Sequence, residues 1–245
     1  MKTKLFLIVC LTFVVFLPAA SMGGVWRDDF NGTTLGYSWK FTNATGLCKF
    51  HVANGWFSIS LEGINDIWGG TDNSAKLLRD APAGDYTLLT HIKIEPDKAA
   101  KTQNTWTCII IFDDTKVPSA NWLYVSRGGA DEVNIESVQN NTGNINASLK
   151  GVGDLDLYLK AEKIGQDYTG YYKVKKDDSW IKVGTYKHTT LNPNKVGFCV
   201  KSWAARSMVS NFDYFEMAGD KVEAITTAVK PNEKLTTTWG QLKSR

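Results

Sequence analysis

The feature that most constrains this chain is an alternation of apolar and polar residues with a period of two. It runs through Leu88, Thr90, Ile92 and Ile94, through Leu155, Leu157, Leu159 and Ala161, through Tyr168, Gly170, Tyr172 and Val174, and through Val196, Phe198 and Val200. Successive side chains of an extended backbone point to opposite faces, so each segment reads as a half-buried antiparallel strand. Further strands are predicted at 56–61, 106–112, 122–127, 132–138, 145–149, 180–184 and 207–217. Turn-forming clusters separate them at 82–85, 113–114, 127–129, 140–143, 176–179 and 192–194. Eleven or more short strands with hardly a helical stretch predict an all-β fold, a two-sheet antiparallel jelly-roll sandwich. Segment 106–112 is apolar on both sides, which predicts a central strand whose second side is also covered or lines a groove.

Composition bounds the class. The chain has 245 residues, 43% of them hydrophobic, with nine Trp, 21 Gly and six Pro. That excludes a disordered, collagen-like or disulfide-dense chain. Residues 1–21 combine Lys2 and Lys4, an apolar run over 5–17 and the small residues Ala19, Ala20 and Ser21. This pattern predicts a signal peptide and a secreted protein, extracellular or periplasmic, because the run is shorter than the roughly 20 apolar residues of a membrane span. Residues 22–218 then form one domain. Residues 219–245 hold five basic and three acidic residues and Trp239, and read as a flexible tail or a docking segment for a protein partner. The formal +3 charge belongs to these two ends, around a body near −1, so nothing drives nucleic-acid binding.

Without Cys10, three cysteines remain. Cys48, Cys108 and Cys199 allow at most one disulfide, and their apolar neighbours favour three small core residues over a bridge. No Cys or His sits at metal-ligand spacing to them.

Several segments carry a resemblance. WRDDFNG at 26–32 with Leu35 and Trp39 resembles the opening of concanavalin A-like, laminin-G-like jelly rolls. The likeness continues in CIIIFDD at 108–114, NWLYV at 121–125, the 171–184 segment, KVGF at 195–198 and NFDYFE at 211–216. It is nearest to the C-terminal β-sandwich module of family 43 β-xylosidases and covers nearly the whole body, 25–217. The resemblance implies a lectin-like, accessory carbohydrate-binding module without the propeller domain that carries hydrolysis in those enzymes. It also implies that calcium can tie the first strand to the last, with Asp28 or Asp29 and Asp213 or Glu216 as the acids at those ends; two acids fall short of the six to eight oxygens calcium takes.

Sugar recognition needs flat apolar rings and a few polar groups for the hydroxyls. The candidate platforms are Trp68, followed by two glycines, Trp122 with Tyr124, and Trp203. Asp66, Asp113, Asp114, Asn121 and Arg127 are the polar candidates; otherwise they read as turn formers, and the rings as core. The ligand expected is a plant-type or other polysaccharide. A hydrolase alternative rests on Glu132-Val133-Asn134-Ile135-Glu136, which resembles the E-x-D-x-E strand of family 16 hydrolases with Asn134 in place of the middle acid. Retaining hydrolysis wants carboxyls roughly 5–5.5 Å apart. On a regular strand the two Cα atoms lie about 13 Å apart, so the pair meets only with inward lean or a bulge. A structural or adhesion domain with a protein partner is the third reading. His51, His91 and His188 are scattered and form no catalytic motif.

Overall fold

The computed structural model describes residues 23–96, 103–116, 121–129 and 131–223. The signal-like leader, most of the tail and Trp239 lie outside the described residues. Seventeen strands run through them. They are β1 (Gly24–Asp28), β2 (Lys40–Asn43), β3 (Lys49–Ala53), β4 (Trp56–Asn65), β5 (Ile67–Trp68), β6 (Thr71–Asp72), β7 (Ala75–Asp80), β8 (Tyr86–Pro96) and β9 (Thr105–Asp113). Then follow β10 (Asn121–Gly128), β11 (Glu132–Gln139), β12 (Thr142–Lys150), β13 (Asp156–Ile164), β14 (Asp167–Lys173), β15 (Ile181–Lys187), β16 (Lys195–Phe212) and β17 (Phe215–Gly219). All the pairings are antiparallel, and one 3₁₀ turn after β9 is the only helical element among the described residues. No helix there is long and apolar enough to cross a membrane.

The strands form two layers joined through β16. One layer runs β12-β11-β10-β9, then the first half of β16, then β7 and β2. The other runs β15-β14-β13-β8, and beyond β8 it continues into the second half of β16 with β4 and β3, and into β17 with β1. The sequence reading splits 196–200 from 207–217. The structure joins them instead: β16 pairs with β9 and β7 over 195–202, shifts register between Ser202 and Arg206, and then pairs with β4 and β8. A bulge bends a strand without ending it, which is how one strand serves both layers.

Alternation decides what each layer buries. Ile109, Ile111, Leu123, Val125, Val133, Ile135, Val196 and Phe198 face inward and meet Leu88, Ile92, Leu157, Leu159, Phe57 and Phe212 of the second layer. Phe198 stacks on Phe212 at 3.8 Å between ring centroids and meets Phe215 edge-on at 5.1 Å. The layers approach closely at β14 and β15, where a Cβ on Gly184 would lie 2.5 Å from Ala147 Cβ. At the edge of the core, Asp28 accepts from the Phe30 amide at 2.9 Å and from Trp39 Nε1 at 2.8 Å, fixing the first loop.

The outer side of the first layer is also covered. Trp106, Cys108, Ile110, Phe112, Trp122, Tyr124, Val138 and Cys199 form a second cluster there, under Ile67 and Trp68 of the short β5–β6 arm. Every residue of β9 is consequently buried.

Candidate functional site

Where the arm stops, the outer face opens into a groove of about 370 Å³ lined by Asp66, Trp68, Trp106, Glu136, Lys201 and Trp203, with Ile145 at its edge. Its floor follows from strand parity: Trp106, Tyr124, Glu136 and Lys201 are the outward residues of β9, β10, β11 and β16, and antiparallel register brings those strands side by side. Trp203 is the exposed wall, with 55% of its surface open. Trp68 is half-buried and lies against the backbone of Gly143 in β12, where an added Cβ would stand 2.3 Å from its Cε2.

Polar groups are spread unevenly over this floor. Lys201 is only 3% exposed, so its cation needs partners, and it has several. Its Nζ lies 3.5 Å from Asp66 Oδ1 and 3.6 Å from Glu136 Oε2, donates to the Ile67 carbonyl at 3.3 Å, and sits 4.6 Å and 5.0 Å from the ring centroids of Trp106 and Trp68. Glu136 accepts from the Tyr124 hydroxyl and, at 2.7 Å, from Asn134 Nδ2, whose own Oδ1 accepts from Ser126 Oγ. Burial pushes the Glu136 carboxyl above its ordinary range, against the opposing pull of Lys201 and its hydrogen bonds. Burial likewise pushes the Tyr124 phenol up, reinforced by Glu136. One group of the groove is left over: Trp106 Nε1 is buried and takes part in no hydrogen bond, whereas Asp66 Oδ1, also without one, faces Lys201 Nζ as its ion-pair partner. A donor left unpaired at the floor of a groove costs free energy that a ligand acceptor reaching it would recover.

The sequence candidates separate on this geometry. Asp66, Trp68 and Trp203 are brought together in the groove. Trp122 and Tyr124 are not solvent-facing platforms: they are 1% and 0% exposed and stack on each other at 4.8 Å, with Trp68 6.2 Å above Trp122. Tyr124 underlies the groove; Trp122 is covered by the arm. Arg127 is fully buried because it alternates in phase with Leu123 and Val125, and it ties its loop down through the Asp154 carbonyl at 2.9 Å and Asp131 at 3.2 Å. Asp113 stands seven residues along β9 from Trp106, about 23 Å on an extended strand, and accepts from the Thr115 amide. Asn121 beside it is buried and donates to the Thr190 carbonyl. Neither joins the groove.

Glu132 and Glu136 share the outer face of β11 but not their partners. Glu132 accepts from Ser148 Oγ at 2.5 Å. The register shift beside Glu136 is on the β12 side, with β11 in unbroken register against β10, so their Cα atoms keep the regular spacing of about 13 Å.

The acids at the terminal strands do not fit a calcium ion. Both Asp28 oxygens are taken by N–H donors, Asp29 pairs with Arg27 at 2.6 Å, and Asp213 pairs with His91 at 3.1 Å. Glu216 also pairs with Arg27. Among the described residues no three His, Cys, Asp or Glu side chains are grouped to hold a metal.

Trp106 and Lys201 are the groove residues that sequence reading missed. The doubly apolar 106–112 segment was the available signal for Trp106; for Lys201 it was a lysine between Val200 and Trp203, in phase with Cys199 rather than with the core. A larger concavity of about 830 Å³ lies around Tyr37, Arg79 and Lys221, but there the Arg79 guanidinium already covers the Trp26 ring at 3.2 Å.

No family model matches the chain, and no curated protein matches it. Solved structures do. The chain is similar to the GH43 BlXynB protein from Bacillus licheniformis, at 15% identity and a TM-score of 0.60 over 78% of this chain and 39% of that one. The fold is the β-sandwich found in family 43 xylosidases. The xylan β-1,4-xylosidase from Bacillus halodurans C-125 matches at 16% identity and a TM-score of 0.58, over 79% and 39% of the two chains. This chain thus spans about two fifths of the length of these enzymes. A functionally unknown protein from Saccharomyces cerevisiae matches over 81% of this chain and 97% of its own, at 11% identity and a TM-score of 0.53.

Proposed function

We propose that this chain is a secreted, non-catalytic carbohydrate-binding domain that takes a neutral polysaccharide segment in the groove between Trp68, Trp106 and Trp203. The observation that carries the reading is the groove itself, where the exposed Trp203 and half-buried Trp68 rings flank the Trp106 indole N–H, which has no hydrogen-bond partner. A sugar hydroxyl accepts as well as donates, so a hydroxyl can take the Trp106 N–H while the C–H face of the pyranose rests on an indole. The charges favour a neutral ligand. Lys201 is already compensated by Asp66 and Glu136, which leaves no free cation in the groove for a uronate or a sulfate.

Titration calorimetry with xylo-, arabino- and β-gluco-oligosaccharides tests this. Binding that falls at least tenfold in Trp203→Ala is expected; no heat at millimolar oligosaccharide with any of the three sinks the reading. The hydrolase alternative has its own readout, release of reducing ends from xylan or β-glucan that disappears in Glu132→Gln.

A further inference from the structure

Beneath the groove, the outer face carries a thiol pair that sugar binding does not use. Cys108 of β9 and Cys199 of β16 are direct cross-strand partners, and both are fully buried on the same side of the layer. We propose that Cys108 and Cys199 are a disulfide site, closed by a small-molecule disulfide or an equivalent thiol oxidant, that staples β9 to β16.

The geometry follows from the ladder. Directly opposed residues of antiparallel strands have Cα atoms about 4.5 or 5.5 Å apart, depending on whether the pair is hydrogen-bonded. Disulfides span about 4.4–6.8 Å between Cα atoms, so no backbone movement is needed. Opposed residues also project their Cβ atoms to the same face, which aims the two sulfurs at each other. Cys48, the remaining described thiol, belongs to the core between the layers, so the pairing is unambiguous. Within the pair, burial pushes the Cys108 thiol well up. Burial opposes ionisation of Cys199 too, while its hydrogen bond with Cys108 and the nearby Lys76 favour it.

The chemistry balances with glutathione disulfide as oxidant. One of the two cysteines, as its thiolate, attacks one glutathione sulfur and releases a glutathione thiolate. The other, losing its proton, then attacks the first cysteine's Sγ in the mixed disulfide and releases the second. Two protein thiols are oxidised, one glutathione disulfide is reduced to two thiols, and both protons pass to the leaving groups. Because neither sulfur reaches solvent in the folded protein, closure belongs to folding or to opening of this sheet edge. The bridge would close a loop of roughly ninety residues, a length at which a disulfide restricts the unfolded chain strongly.

The test refolds the full chain in glutathione redox buffer, alkylates free thiols after denaturation, and maps peptides without reduction. A linked peptide pair containing Cys108 and Cys199, with Cys48 alkylated, is expected. The oxidised protein should melt about 5–15 °C above the reduced one, a difference kept in Cys48→Ala and lost in both Cys108→Ala and Cys199→Ala. Full alkylation of Cys108 and Cys199 after equilibration, a link involving Cys48, or a redox-dependent shift that survives in either alanine variant overturns the proposal.

Discussion

At the scale of single residues, two buried groups set the character of the groove. Trp106 holds an indole N–H with no partner, which costs the folded protein the desolvation of that donor. Trp106→Phe keeps the ring and removes the N–H. Its affinity for the best-binding oligosaccharide should fall about tenfold, one hydrogen bond's worth, with a melting temperature equal to or above the wild type; calorimetry and thermal melts read the two effects separately. Glu136 is the second. Its carboxyl is raised by burial above the ordinary value of 4.5, so the fold favours the protonated form. The stabilisation this brings is complete below the unfolded value and is lost as pH rises through the raised folded value. Across that window, wild-type melting temperature should drop on going to higher pH by more than that of Glu136→Gln, whose amide cannot ionise. Equal slopes in the two proteins would remove Glu136 as the group responsible.

At the scale of elements, the groove depends on a short arm resting on an edge strand. β12 is the outermost strand of its layer, and Gly143 gives the Trp68 indole a flat seat there. A side chain at this position must displace the ring. Gly143→Val is therefore expected to weaken oligosaccharide binding at least tenfold and red-shift tryptophan emission, while melting within a few degrees of wild type because an edge strand tolerates a branched residue. The same element logic explains the misplaced candidates. Arg127 and Tyr124 are three residues apart on one strand and so project to opposite faces, which sequence parity already implied; Trp122 and Trp68 cannot both be open because one lies over the other. Their separation was legible only in part, since parity names the face but not what covers it.

At the scale of the whole molecule, a sandwich of nearly zero net charge has little long-range field to steer a partner. Oligosaccharide affinity should accordingly stay within about twofold between 50 and 500 mM salt, measured by calorimetry; a steep loss with salt would point to an anionic ligand instead. The acids at the terminal strands are engaged by Arg27, His91 and N–H donors. Addition of EDTA is expected to leave the melting temperature unchanged.

The sequence by itself determined the class of fold and most of its strands, because period-two burial is a local property: each residue's neighbours two positions away share its face whatever the partner strand is. It also marked β9 as a central strand whose second side is covered or lines a groove. What only the tertiary structure decided is which strands lie beside one another and what lies over them. Register brought Glu136, Tyr124, Trp106 and Lys201 from four strands onto one floor, the turn of β16 from one layer into the other put Trp203 beside them, and the β5–β6 arm closed the rest of the face over Trp122. Those are contacts between residues up to a hundred or so positions apart, and no local periodicity encodes them.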